Sequence, residues 1–134
     1  MADGQSISIP APRVLTIILA DDSEQWRLQI RRILDSRLDW EIVSEAADGK
    51  QALEKVQELC PDVVLLDIGM PVMNGLAAGR EIRRICPGAN IIFVTESSLD
   101  TIREAALEIG EGYVLKRNAL RELLPAVAKY LPRV

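Results

Sequence analysis

Short runs of strand-forming residues alternate with stretches of helical periodicity along this chain, and that alternation leaves few folds open. The strand-like runs are Val14 to Ala20, Trp40 to Ala46, Val63 to Leu66, Asn90 to Val94 and Tyr113 to Leu115. After the first run, Leu28, Ile30, Ile33 and Leu34 recur at helical spacing, with Arg27, Arg31, Arg32 and Asp35 between them. Ala52, Val56 and Leu59 mark a second helix, and a third spans about Gly75 to Cys86. Ser97 or Ser98 offers a cap for a fourth helix ending at Ile109, and Asn118 offers one for a last helix from Ala119 to about Leu131. Pro125 predicts a bend in that helix or a late start. Five β-then-α units with buried apolar strands predict an α/β fold, a doubly wound five-stranded parallel sheet in the order 2-1-3-4-5. Right-handed crossovers place the first and fifth helices on one face and the other three on the opposite face.

At 134 residues the chain has the size of one domain, and residues 1–13, small, polar and Pro-containing, read as a mobile N-terminal tail. Aromatic residues make up only 4%, so the core is expected to be aliphatic. A net charge of -4 argues against direct nucleic-acid binding by this segment, which needs clustered Lys and Arg. No run reaches the ~18 apolar residues of a membrane span, and the first residues lack a signal-peptide pattern. The expected location is cytoplasmic. Cys60 and Cys86 are far apart in sequence, each followed by Pro, and are expected as two small buried apolar side chains near helix ends. The segments from Leu59 to Val64 and from Ile85 to Ile91 read alike, as helix end, Cys-Pro turn and apolar strand.

There is no histidine, which removes Ser-His-Asp and Cys-His nucleophile pairs, His-based metal sites and any phosphohistidine role for the chain itself. The chemistry must run on carboxylates, Lys, Ser or Thr. Four of the strands end at such residues: Asp21-Asp22, Asp67, Thr95 and Lys116. In a parallel sheet those carboxyl ends share one edge, where open α/β sheets bind ligands. Each residue alone has an ordinary explanation: a helix cap for Asp21 or Asp22, a turn for Asp67, a strand end for Thr95, a solvated charge for Lys116. Their joint occurrence on one edge points to phosphoryl transfer.

Clustered carboxylates repel one another, so such a site must raise a pKa or recruit a cation. A hard ion such as Mg²⁺ suits an oxygen-only site. Asp22 and Asp67 are expected as direct ligands, the Gly69 carbonyl as a third, and Asp21 as a partner through water. Asp67 then acts as nucleophile toward a phosphoryl group, with Lys116 neutralising the transferring oxygens and Thr95 donating a hydrogen bond.

These segments resemble a response regulator receiver domain over roughly Val14 to Leu131. The matching residues are Leu19-Ala20-Asp21-Asp22, Pro61-Asp62-Val63-Val64-Leu65-Leu66-Asp67-Ile68-Gly69-Met70-Pro71 with Asn74-Gly75, Phe93-Val94-Thr95, and Gly112-Tyr113-Val114-Leu115-Lys116. The resemblance implies a flavodoxin-like receiver domain over 14–134, Mg²⁺ as cofactor, and transfer of phosphate to Asp67 from a sensor histidine kinase or phosphotransfer protein. It implies that Thr95 and Tyr113 form the switch, Tyr113 moving inward as Thr95 turns toward the phosphate. Such a domain is not an enzyme, since it assists only its own phosphorylation and dephosphorylation. The segment from Gly112 to Pro125 is most similar to receivers that precede a helix-turn-helix output domain, and the readout face, helix 4, strand 5 and helix 5, is expected to carry Ile102, Arg103, Tyr113 and Arg117 and to support partner binding or a homodimer. Trp26 is expected either near the metal or in the core.

Three departures bear on this reading. Arg117 replaces the family's usual Pro after the lysine, so the following loop is expected to be trans and differently shaped. Gly69 leaves room for attacking water, and Glu96 places a carboxylate where the family commonly has a small residue. The rival reading is therefore a receiver-like interaction module that does not accept phosphate. A flavodoxin is disfavoured because Asp21-Asp22-Ser23-Glu24 would repel a cofactor phosphate, and an Asp-nucleophile phosphatase because Gly69 stands where its general acid would be.

Overall fold

The computed structural model describes residues 13–132. Strands β1 (Leu15–Ala20), β2 (Trp40–Ala46), β3 (Val63–Leu66), β4 (Asn90–Thr95) and β5 (Gly112–Leu115) are all parallel and lie in the order β2-β1-β3-β4-β5. Helices α1 (Glu24–Leu34), α2 (Gly49–Leu59), α3 (Gly75–Ile85), α4 (Asp100–Ile109) and α5 (Ala119–Ala128) connect them. The sheet divides the core in two. On one side Ile17, Leu19, Leu65, Ile92 and Val94 pack with Ile30 and Leu34 of α1 and Leu123 and Val127 of α5. On the other, Ile18, Val64, Leu66, Ile91 and Phe93 pack with α2, α3 and α4. This is the helix distribution that right-handed crossovers require.

Local chemistry accounts for most helix starts. The side chains of Ser23, Asp48 and Asn74 each accept from a backbone N–H three residues on, at Trp26, Gln51 and Ala77, and so cap α1, α2 and α3. The cap of α1 is thus Ser23, not Asp21 or Asp22. The expected caps of the last two helices differ: α4 begins after Leu99 with no side-chain cap, and Asn118 precedes α5 without donating or accepting a capping bond. A 3-10 turn over Lys116–Asn118 feeds directly into α5, which starts at Ala119 and runs through Pro125 instead of starting late. Among the described residues no peptide bond is cis, so the loop at Arg117 is trans as expected. Of the tail expected over residues 1–13, Arg13 pairs with Asp62, and the rest lies outside the described residues.

The cysteines depart from expectation. Cys60 is exposed, Cys86 is buried, and the two are joined in a disulfide with their Cα atoms 6.0 Å apart. The reason is topological: β3 and β4 are neighbours with Val63 opposite Asn90, so the two similar Cys-Pro turns that precede them lie side by side. Sequence spacing alone hides this adjacency. The bond spans 26 residues, a segment that includes all of β3 and α3. In the chain-entropy account of cross-linking, a closure of that length stabilises by ~3.5 kcal/mol.

Arg83 makes a second tie on the same side. Its guanidinium donates to the carbonyls of Ile109, Pro87 and Ala89 and pairs with Glu111, whose carboxylate also accepts from Ile91 N. It fastens α3 to the carboxyl end of α4. No helix among the described residues is long and apolar enough to cross a membrane.

Candidate functional site

β1 delivers Asp21 and Asp22, β3 delivers Asp67, β4 ends in Thr95, and β5 leads into Lys116, all at the carboxyl edge of the sheet. One oxygen from each of Asp21, Asp22 and Asp67 lies within 4.8 Å of the others. Asp22 is exposed, whereas Asp21, Asp67, Thr95 and Lys116 are all buried. Burying this many polar groups is costly unless they satisfy one another.

They do so only in part. Asp21 Oδ1 accepts from Ser23 N at 2.8 Å, and its Oδ2 lies 2.8 Å from Lys116 Nζ. That contact is electrostatic but poorly aligned, and Asp21 Oδ2 is left without a hydrogen bond of good geometry. Lys116 Nζ is 3.6 Å from Asp67 Oδ2 and so faces both carboxylates. One ammonium against this cluster leaves an excess of negative charge. Burial, and then the neighbouring Asp21, push the Asp67 carboxyl up to about 6, against the opposing pull of Lys116. An oxygen-only donor set with an orphaned buried oxygen and a net negative charge fits a hard divalent cation.

Arg27 was legible only as a helix residue, yet it and Trp26 both serve this edge. Arg27 donates to the Asp21 carbonyl at 2.7 Å and to Glu45 at 3.0 Å, which fixes the turn carrying the acidic pair. Trp26, half-buried, lies against Lys116, whose Nζ is 5.0 Å from the ring centre. Of the two positions open to Trp26, the structure selects the one beside the acidic cluster. Adding Mg²⁺ to the chelator-treated protein is expected to change tryptophan emission, and Trp26→Phe is expected to abolish that response while Trp40 still emits. A wild-type signal that stays flat would contradict this.

A cleft of about 600 Å³ opens over the cluster and is bordered by Asp22, Trp26, Asp67, Gly69, Glu96 and Lys116 among others. Gly69 is exposed, and a Cβ built there would meet nothing within 4 Å, so the entry beside Asp67 is open. Glu96 is exposed on the rim. A second cleft of about 590 Å³ lies along β2 and contains none of these residues.

Thr95 accepts a long bond, 3.4 Å, from Ser97 N, and the Tyr113 hydroxyl donates to the Ser97 carbonyl. The β4–α4 loop is thereby held by the two residues expected to act as the switch. Burial also raises the Tyr113 hydroxyl pKa, against a smaller opposing effect of Arg103. Arg103, Tyr113 and Arg117 border one shallow depression on the α4, β5 and α5 side. Ile102, expected with them, turns instead toward the site cleft and the core.

Comparison with known proteins points the same way. The family described as "Response regulator receiver domain" matches residues 17–128. The chain is 33% identical over 116 residues to response regulator protein VraR of Staphylococcus aureus, covering 86% of this chain and 56% of that protein. It is 35% identical over 100 residues to a protein-glutamate methylesterase/protein-glutamine glutaminase of Aliivibrio fischeri, covering 70% of this chain and 27% of the relative. The chain therefore spans roughly a quarter to a little over half of these relatives. A LuxR-family two-component response regulator from Aurantimonas sp. has the same fold at a TM-score of 0.83 and 32% identity, over 88% of this chain and 85% of that one.

Proposed function

Because this chain belongs to the response regulator receiver family, we propose that it accepts a phosphoryl group on Asp67 from the phosphohistidine of a sensor kinase or phosphotransfer protein and changes its binding partners in response. The observation that carries this reading is the convergence of Asp21, Asp22 and Asp67 within 4.8 Å beside the buried Lys116. Asp21, Asp22, Asp67 and the Gly69 carbonyl are the residues that would hold Mg²⁺. When bound, the ion supplies positive charge to the carboxylates and to the transferring oxygens.

The chain's own residues do the rest. A carboxylate oxygen of Asp67 attacks phosphorus, the bond to the donor nitrogen breaks, and the imidazole leaves with the electron pair, giving an acyl phosphate. Lys116, already 3.6 Å from Asp67, neutralises a phosphoryl oxygen, and the Thr95 hydroxyl donates to another. The new group adds about -1.5 to -2 units of charge at one point. As Thr95 turns toward it, the loop that Thr95 and Tyr113 share at Ser97 rearranges, and Tyr113 turns inward. The readout falls on α4, β5 and α5, where a second copy or a downstream partner docks. The receiver turns over nothing beyond its own phosphoryl group and works in the cytoplasm, as one domain over 14–134.

Incubation with Mg²⁺ and acetyl phosphate, followed by intact mass measurement, tests this directly. One phosphoryl adduct is expected, lost when the metal is chelated. A protein that stays unmodified under both conditions would reject the relay and leave the interaction module.

A further inference from the structure

The Cys60–Cys86 pair has no part in phosphoryl transfer. It lies at the amino-terminal edge of the sheet, ~17 Å of strand away from Asp67. Its setting differs from that of a disulfide on which a small fold depends. Both turns are pinned without it: Cys60 N donates to the Val56 carbonyl and Cys86 N to the Ile82 carbonyl, each closing its helix. Just beyond them, Asn90 donates to the Asp62 carbonyl from both its backbone and its side chain, at 2.9 and 3.1 Å. Asp62 N in turn donates to the Thr16 carbonyl, anchoring the first turn to β1. Two apolar layers form the core, and Cys86 is one of many buried members of the layer that contains it. The sulfurs are therefore kept within bonding reach whether or not they are joined.

Their exposure is unequal. Cys60 is exposed at the end of α2, while Cys86 is buried at the end of α3. Of the two residues, Cys60 is the one that stands open to an incoming reagent.

We propose that Cys60 and Cys86 form a reversible thiol–disulfide site that exchanges with low-molecular-weight disulfides and thiols of the glutathione type, entered at Cys60 and resolved by Cys86. In oxidation, the Cys60 thiolate attacks the small disulfide and releases one small thiolate, leaving a mixed disulfide on Cys60. The Cys86 thiolate then attacks the Cys60 sulfur and releases the second small thiolate, so two protein thiols and one small disulfide become one protein disulfide and two small thiols. Reduction runs the same steps backward, with the small thiolate attacking the exposed Cys60 sulfur. The segment that is clasped and unclasped contains the acceptor Asp67 and α3, so the redox state sets the stability of the unit that carries the acceptor.

The test is a redox titration of the full chain in mixtures of oxidised and reduced glutathione, with rapid alkylation and intact mass measurement. The oxidised fraction is expected to follow the glutathione ratio in both directions, and the oxidised form to melt about 10 °C higher. Cys86→Ser is expected to accumulate a glutathione adduct on Cys60, and Cys60→Ser to remain unmodified. Thiols that stay reduced throughout, a bond that glutathione never opens in the folded protein, bonding only between chains, or first modification at Cys86 would each overturn the proposal. The phosphoryl adduct, measured in parallel on the reduced protein, reports separately on Asp67.

Discussion

Asp67→Asn is expected to abolish the phosphoryl adduct and, in metal-free buffer at neutral pH, to make the protein more stable. The two effects share a cause, the buried carboxylate facing Asp21. The Asp67 pKa in the folded protein is raised from 3.8 to about 6, so between those values the folded state binds more protons than the unfolded state. Stability must then fall as pH rises through that interval. The cost of holding Asp67 ionised is absent below about pH 4, where it is protonated in both states, and fully present above about pH 6. A rise of this size corresponds to about 3 kcal/mol, or roughly 8 °C in the melting temperature of a domain this large. The amide pays no such charge penalty. Thermal melts of both proteins with chelator should diverge above pH 6 and converge near pH 4; an asparagine variant less stable than wild type at pH 7.5 would contradict the account. Mg²⁺ should narrow the gap by stabilising the wild type.

The other large effect concerns a residue with no chemistry of its own. A Cβ at Gly75 would fall 2.0 Å from the Asp67 carbonyl oxygen and 2.7 Å from Ile68 Cα, both backbone atoms with no freedom to turn aside. Gly75 N also donates to the Ile68 carbonyl at 2.8 Å, so the start of α3 is stitched to the acceptor's own backbone. Gly75→Ala must push α3 away or displace Asp67. The expected result is a loss of about 3 kcal/mol, measured by denaturant unfolding, together with a large fall in adduct formation. Gly69→Ala is the internal control, since its Cβ meets nothing within 4 Å and stability should hardly change. Equal stability of the two variants would show that the contact at Gly75 does not constrain the acceptor.

The sheet order and the division of helices between its faces were readable because five alternating β-then-α units with right-handed crossovers leave few topologies, and the residues at its carboxyl edge because each follows or ends a strand. What escaped the sequence depends on which side chains meet once those segments are neighbours. The cysteines looked separate when read by their spacing alone, although the expected strand order already set β3 beside β4 and with them the two Cys-Pro turns. Arg27 looked like part of a solvated helix face, although it reaches back to the Asp21 carbonyl. The missing caps at Leu99 and Asn118 have a different origin: serine or asparagine near a helix start permits a capping bond, but the incoming loop decides whether it forms. For α4 that loop is occupied by Thr95 and Tyr113.

Arg83 and the bare start of α4 together give that helix unequal ends. At its finish, Arg83 grips the Ile109 carbonyl and Glu111, while at its start Leu99 offers no side-chain cap and its N–H makes only a long, 3.4 Å bond to Ser97 Oγ. A helix fastened at its Ile109 end and uncapped at its Asp100 end is expected to fray first at Asp100, read as faster amide exchange there.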